Sequence, residues 1–221
     1  MTALSTAESL GMMISDKLWL SRAPADASNL RPLTNSFVGT ERQDSGKTWG
    51  ASNSAGEPLP KECFPEEIFG TPDAKDSAYR LPDLFSDGNF WVVSSAAYDV
   101  LRQFNLGRGA LYPVRILKRD RQTEVGGDWY CLNFGNKKQA FVLEKSTSVR
   151  DYYIRPKEKG WVPKATVKDG DIVVSNEAYG GPDIWIDPQV GSAFFLSDAL
   201  GAALKKAKAD KGFFLFRCRV I

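Results

Sequence analysis

Apolar residues gather after Leu81 in short runs separated by polar turns, and two stretches of the chain share one layout. Aligning Ser94 with Ser197 lays residues 91–118 over residues 194–221 without a gap. An apolar run, a serine, a helical stretch, a glycine and a second apolar run follow in the same order in both. The first copy reads Trp91, Val92, Val93, Ser94, then Ala97, Val100, Leu101 and Phe104 at helical spacing, then Gly109 and an apolar run over 111–117. The second reads Phe194, Phe195, Leu196, Ser197, then Leu200, Ala203, Leu204 and Ala207, then Gly212 and residues 213–221. Apolar residues at i, i+3, i+4 and i+7 define a helix with one buried face. Each serine stands where its hydroxyl can cap the free N–H groups of the helix that follows. The pattern therefore predicts two strand–helix–strand units.

Elsewhere the pattern predicts a helix over residues 6–13 and a strand over residues 17–21. Residues 37–80, rich in Gly, Ser, Asn and Pro, read as a long loop region with a short helix near residues 66–69. Alternation or short apolar runs predict strands over 111–118, 128–134, 140–143 and 172–174, with turns at Gly126-Gly127, residues 136–138 and Asp169-Gly170. The expected class is α+β, a mixed, mainly antiparallel sheet with a few packed helices. The expected organisation is an N-terminal extension over residues 1–80 and an α+β domain over residues 81–221.

Composition narrows the class. A chain of 221 residues, 43% hydrophobic and 25% charged, has the make-up of an ordinary globular protein. A formal charge of +2 gives no global pull toward nucleic acid or membrane. The first residues carry Glu8 ahead of any Lys or Arg, and no apolar run approaches a membrane span, so a cytoplasmic location is expected. Cys63, Cys131 and Cys218 are far apart and form no CxxC pair, which fits a reducing compartment. Histidine is absent, which excludes Ser-His-Asp and Cys-His catalysis and HExxH zinc sites within this chain. No cofactor or metal is expected.

Candidate motifs mostly fail their chemistry. Gly46-Lys47-Thr48 ends like a phosphate loop, but Glu41 stands where that loop needs glycine, and residues 49–53 make a poor helix start. Ser94-Ser95 lacks the glycines of a nucleophile elbow. Ser146-Thr147-Ser148 has the start of an ADP-ribosyltransferase motif without the acidic pair, and reads as a turn. Lys205, Lys206, Lys208 and Lys211, with Arg217 and Arg219, offer a basic face for nucleic acid, yet they fall where a solvated helix places its charges. Residues 181–188 are harder to set aside. Prolines frame an extended run in which Ile184 and Ile186 point to the core and Asp183, Trp185 and Asp187 share the opposite side. An aromatic between two carboxylates is a recognition surface for a basic partner, or a weak cation site. The alternative is that Trp185 is buried under a loop and the aspartates cap turns.

The landmarks at residues 81–85, 93–94, 111–116, 129–134, 181–188 and 194–200 together resemble, in order and spacing, the bacterial immunity protein family eleven, formerly a domain of unknown function. The resemblance spans residues 81–221. It implies a cytoplasmic antidote to a polymorphic or type VI secretion toxin, a toxin or effector protein as partner, and no established catalytic residues. The expected function is thus neutralisation of a cognate toxin by occluding its active site, with Asp183, Trp185 and Asp187 as candidate contacts. Two other classes stay open: an enzyme working through convergent carboxylates, and a nucleic-acid-binding module using the C-terminal basic residues.

Overall fold

The computed structural model describes residues 17–155 and 158–221, so the helix expected over residues 6–13 lies outside the described residues. The strands are β1 (Lys17–Ser21), β2 (Leu33–Asn35), β3 (Glu67–Gly70), β4 (Leu84–Ser86), β5 (Trp91–Ser94), β6 (Ala110–Leu117), β7 (Trp129–Asn133), β8 (Val149–Arg155), β9 (Glu158–Pro163), β10 (Val173–Val174), β11 (Ile184–Trp185), β12 (Phe194–Ser197) and β13 (Leu215–Val220). The helices are α1 (Gln43–Ser54), α2 (Ser95–Leu101) and α3 (Asp198–Lys206). The class is α+β, as expected. Instead of one sheet the strands form a six-stranded sheet in the order β2-β3-β6-β7-β5-β4, a five-stranded sheet in the order β10-β13-β1-β12-β11, and the hairpin β8–β9. Only β3–β6 and β10–β13 pair in parallel among these ladders.

The strand sequences explain the layering. Trp91 and Val93 of β5 face the central core while Val92 faces outward into a second one; Phe194 and Leu196 of β12 face the central core while Phe195 enters a third. Apolar side chains on both faces make continuous apolar strands, because each sheet is covered on both sides. The central core lies between the two sheets and holds α2 and α3 side by side, with Ala97, Val100, Leu101, Leu200 and Leu204 buried. Ser94 Oγ accepts from Ala97 N and Ser197 Oγ accepts from Leu200 N, each at 3.2 Å, so both serines are N-caps.

The two sheets share a strand arrangement. In one, β7 lies between β5 and β6 and antiparallel to both; in the other, β1 lies between β12 and β13 in the same way. Outside them, β4 and β11 pair antiparallel with β5 and β12, while β3 and β10 pair parallel with β6 and β13.

The region 37–80 departs most from expectation. Residues 43–54 form α1, so Gly46-Lys47-Thr48 is helical and Gly46 N donates to Arg42 O at 2.8 Å. The helix has little apolar periodicity, and its glycines allow close packing. A Cβ on Gly46 would stand 2.8 Å from the Phe37 ring, and one on Gly50 2.6 Å from Asn89 O. The short helix expected near residues 66–69 is instead β3, held by β2 and β6. Residues 140–143 form a single bridge from Phe141 to Val174 rather than a strand. The ladders β3–β6, β1–β12 and β1–β13 all cross the expected division at residue 80.

Candidate functional site

β11 sits between two cores. Ile184 and Ile186 join the central core and Trp185 the core on the far side of the five-stranded sheet. Trp185 has 0% exposure and stacks on Phe195 with ring centroids 5.7 Å apart. Lys138 Nζ lies 3.9 Å from the Trp185 ring centroid and donates to Ala178 O and Gly180 O. Burial pulls the Lys138 ammonium down to about 8. The alternation expected for this run is present, but both of its sides are covered.

Asp187 is also buried. Its carboxylate accepts from Ala140 N and Phe141 N at 2.8 Å each and from Gln189 N at 2.9 Å, which ties the 137–142 segment to the end of β11. Burial pushes its carboxyl up against the pull of those donors. Asp183 is half-buried, its Oδ2 accepting from Asn105 N at 2.8 Å while its own N donates to Asn105 O at 2.7 Å. The expectation that Asp183, Trp185 and Asp187 share one open face is therefore corrected: the aspartates serve turns, and Trp185 fills a core.

Asp183 has a counterpart across the molecule. Asp83 accepts from Ser94 Oγ at 2.8 Å and from Lys211 N at 3.1 Å. Asp83 O and Asp183 O accept from Ser94 N and Ser197 N, the two capping residues. Each aspartate thus joins its own helix start to the chain beyond the other helix: Asp183 to Asn105 after α2, Asp83 to Lys211 after α3. The sequence offered no means of seeing this reciprocity.

Asn136, also missed from sequence, holds the sheets together. Its Nδ2 donates to Leu106 O at 2.7 Å, Phe134 O at 2.8 Å and Ile184 O at 3.3 Å, and its Oδ1 accepts from Arg108 N at 3.0 Å. Asn53 does the same at the end of β7, donating to Leu132 O and accepting from Phe134 N. A buried amide carries both donors and an acceptor, so one side chain can satisfy a strand end that has run out of partners.

Other candidates resolve into structure. Ser146 Oγ donates to Val142 O and accepts from Val173 N, and Thr147 Oγ1 donates to Asp171, so that serine–threonine stretch is a hydrogen-bonded turn. Lys205 Nζ and the Arg217 guanidinium lie 5.1 Å and 4.8 Å from the Trp19 ring centroid, and Lys205 also pairs with Asp210. The three cysteines are free and buried, and burial pushes the Cys131 and Cys218 thiols well up, away from thiolate chemistry. Asp87, held by Asn89 N, Phe90 N and Asn35 Nδ2, has its carboxyl pushed up by burial. Two open clefts of ≈ 590 and ≈ 400 Å³ share Glu66 and Pro113; neither is lined by Asp87, Asp183, Trp185 or Asp187. No group of three or more potential metal ligands occurs among the described residues, and no helix among them is long and apolar enough to cross a membrane.

A layered α+β chain whose raised carboxyls, Asp87 and Asp187, are fastened to backbone amides and line none of its larger clefts has the make-up of a scaffold that presents a surface. The chain belongs to the immunity protein family Imm11, whose model matches residues 40–215. That span takes in α1 and β3 and so reaches well ahead of residue 81. Membership points to a toxin-neutralising role, with a toxin as the general kind of partner, in a family that is generally non-enzymatic. No curated protein matches the chain.

Proposed function

We propose that this protein neutralises one cognate toxin by stoichiometric binding that covers the toxin's active site. The setting of this reading is the cytoplasm, and the toxin is of the polymorphic or type VI secretion class. The observation that carries it is the family match over residues 40–215. The state of the titratable groups supports it. A carboxylate enzyme needs two acids converging in a pocket with one of them raised. Here the raised carboxyls of Asp87 and Asp187 are held in separate loops, Asp87 by two backbone N–H groups and the Asn35 amide and Asp187 by three backbone N–H groups, and neither lines the clefts of ≈ 820, ≈ 590 and ≈ 400 Å³. Inhibition by occlusion asks only for a complementary surface with a few well-packed anchors.

Within this reading Asp183 can touch the toxin directly, while Trp185 and Asp187 act from inside by fixing the shape of the segment. Calorimetric titration with the product of the adjoining toxin gene, made catalytically inactive, tests the function. Nanomolar one-to-one binding is expected, and a folded toxin that does not bind would remove the pairing. Asp183→Ala tests the contact: an unchanged Kd in a folded variant takes Asp183 out of the interface.

A further inference from the structure

The sheet edges of this molecule are mostly closed. Beside β4, Leu30 bridges to Ser86 and Arg31 N donates to Ser86 O. Beside β10, Phe141 bridges to Val174 and Val142 N donates to Val173 O; beside β11, Lys137 bridges to Ile186 and Lys138 N donates to Ile186 O. The remaining edge of the larger sheet, β2, is three residues long. Such devices keep unpaired backbone from recruiting another chain. β8 is different, for its register runs unbroken over five residues from Val149 to Tyr153, shifting only between Tyr153 and Arg155, and its one ladder among the described residues is to β9.

The register fixes which backbone groups of β8 face outward. Ser148 and Lys164 continue the ladder register, and Lys164 N donates to Ser148 O at 2.7 Å. In an antiparallel pair hydrogen-bonded and non-hydrogen-bonded positions alternate, so Arg150 and Tyr152 bond to Val162 and Gly160. Val149, Asp151 and Tyr153 then turn their N–H and C=O groups away from β9. Two facts on β9 agree with this phase. Pro163, which has no N–H to give, stands opposite Val149. Trp161, opposite Asp151, turns its own groups outward on the other side, donating to Gln189 O and accepting from Gly191 N. Beside this open edge Tyr152 and Tyr153 are 43% and 62% exposed, and tyrosine is among the residues that anchor interfaces.

We propose that the outer edge of β8 is the docking site for the toxin, which adds an extended segment as a third strand of the hairpin, with Tyr153 beside it; this rests on the immunity reading above. The outward groups alternate in partial charge, N–H against C=O, and the partner complementary to that alternation is another extended backbone. A second copy of this chain is the poorer occupant. Antiparallel self-pairing through all three outward residues would set Asp151 directly opposite Asp151, and like charges at that position oppose pairing.

Residue-resolved amide hydrogen exchange on the full chain, alone and with the catalytically inactive toxin, tests the assignment. In the free chain Arg150 and Tyr152 exchange more slowly than Val149, Asp151 and Tyr153. In the complex the latter three slow by about a hundredfold or more. A complex that forms without that slowing overturns the β8 assignment and leaves the immunity reading standing. The absence of any complex removes both. Slowing that appears without toxin and grows with protein concentration gives the edge to a second copy and overturns the toxin assignment. As an independent check, Asp151→Pro removes one outward N–H at a position equivalent in phase to Pro163, and should weaken toxin binding roughly tenfold or more. Retained slow exchange at Arg150 and Tyr152 shows that the hairpin of this variant is intact, and full affinity in that state counts against the proposal.

Discussion

Asn136→Asp changes one side-chain NH2 to an oxygen and almost nothing in shape, yet it should be among the most damaging single substitutions in the chain. The amide donates to the carbonyls of Leu106, Phe134 and Ile184, at 2.7, 2.8 and 3.3 Å, in a residue only 5% exposed. A carboxylate there presents an oxygen to those oxygens, so the donor bonds are lost and a buried charge is set against three carbonyls. Each buried group left unsatisfied costs about 1–3 kcal/mol, and an uncompensated buried charge adds to that, so a loss of about 4 kcal/mol at pH 7 is expected. That is a large part of the roughly 5–15 kcal/mol of a typical domain. Protonation restores one donor. Burial and the three carbonyls raise the folded-state pKa of the new aspartate above its unfolded value of about 3.9. The protonated form is therefore favoured by folding, and the deficit shrinks as pH falls from 7 toward 5. Urea unfolding followed by tryptophan fluorescence at both pH values reads the effect. A deficit under about 1 kcal/mol at pH 7, or one that does not narrow at pH 5, would refute the view of Asn136 as a donor hub between the sheets.

Three further outcomes follow from the packing. Gly201→Ala gains about 1 kcal/mol of helix propensity, but its Cβ would lie 2.2 Å from Trp19 Cδ1; a net loss of about 1–2 kcal/mol is expected, and a stabilised variant in thermal unfolding would contradict it. Because burial raises the Asp87 carboxyl, its contribution is complete below the ordinary aspartate range near 4 and is lost as pH rises through the raised value. Asp87→Asn should make stability fall less steeply above pH 4, whereas parallel unfolding curves for the two proteins would show that Asp87 does not titrate this way. Ser197→Ala should cost about 1 kcal/mol, while Ser94→Ala should cost about 2 because Ser94 Oγ also donates to Asp83; equal losses in urea titrations would set the Asp83 link aside.

How far the fold was legible depended on where side chains found their partners. β5, β12 and the helices after them were readable because Trp91, Val92, Val93 and Phe194, Phe195, Leu196 fill cores on both faces, and because Ser94 and Ser197 announce helix starts. α1 was hidden because its sequence has no apolar stripe; Gly46 and Gly50 let it lie close to Phe37 and Asn89, and tertiary contact overrides weak propensity. β3, at four residues, is too short to show a period, and its identity comes from β2 and β6. The family resemblance was legible from the spacing of landmarks, but only over its C-terminal part. At the candidate site, alternation correctly set Trp185 opposite Ile184 and Ile186. A period of two says that residues lie on opposite faces; it does not say which face meets water. The core that covers Trp185 is built from Ala140, Val167, Val190 and Phe195, residues scattered along the chain. The open edge of β8 was out of reach for a like reason, since its phase is set by Lys164, Gln189 and Gly191.

The place of β1 bears on how the chain comes to be made. β2 to β7, the whole six-stranded sheet, lie within residues 33–133 and can assemble as soon as that stretch has left the ribosome. The five-stranded sheet has no such freedom. Its middle strand, β1, is synthesised ahead of the whole six-stranded sheet, yet both of its neighbours, β12 and β13, follow after that sheet's last strand. The early strand must wait with apolar Leu18, Trp19 and Leu20 unpaired, and the ladder that closes over it brings Lys17 beside Arg219. Domains complete their folding as units, and contacts between distant residues come late. A chain cut short before residue 194 therefore has every strand of the larger sheet but leaves β1 without either neighbour, and Trp91 and Val93 without the Phe194 and Leu196 side chains that complete their core.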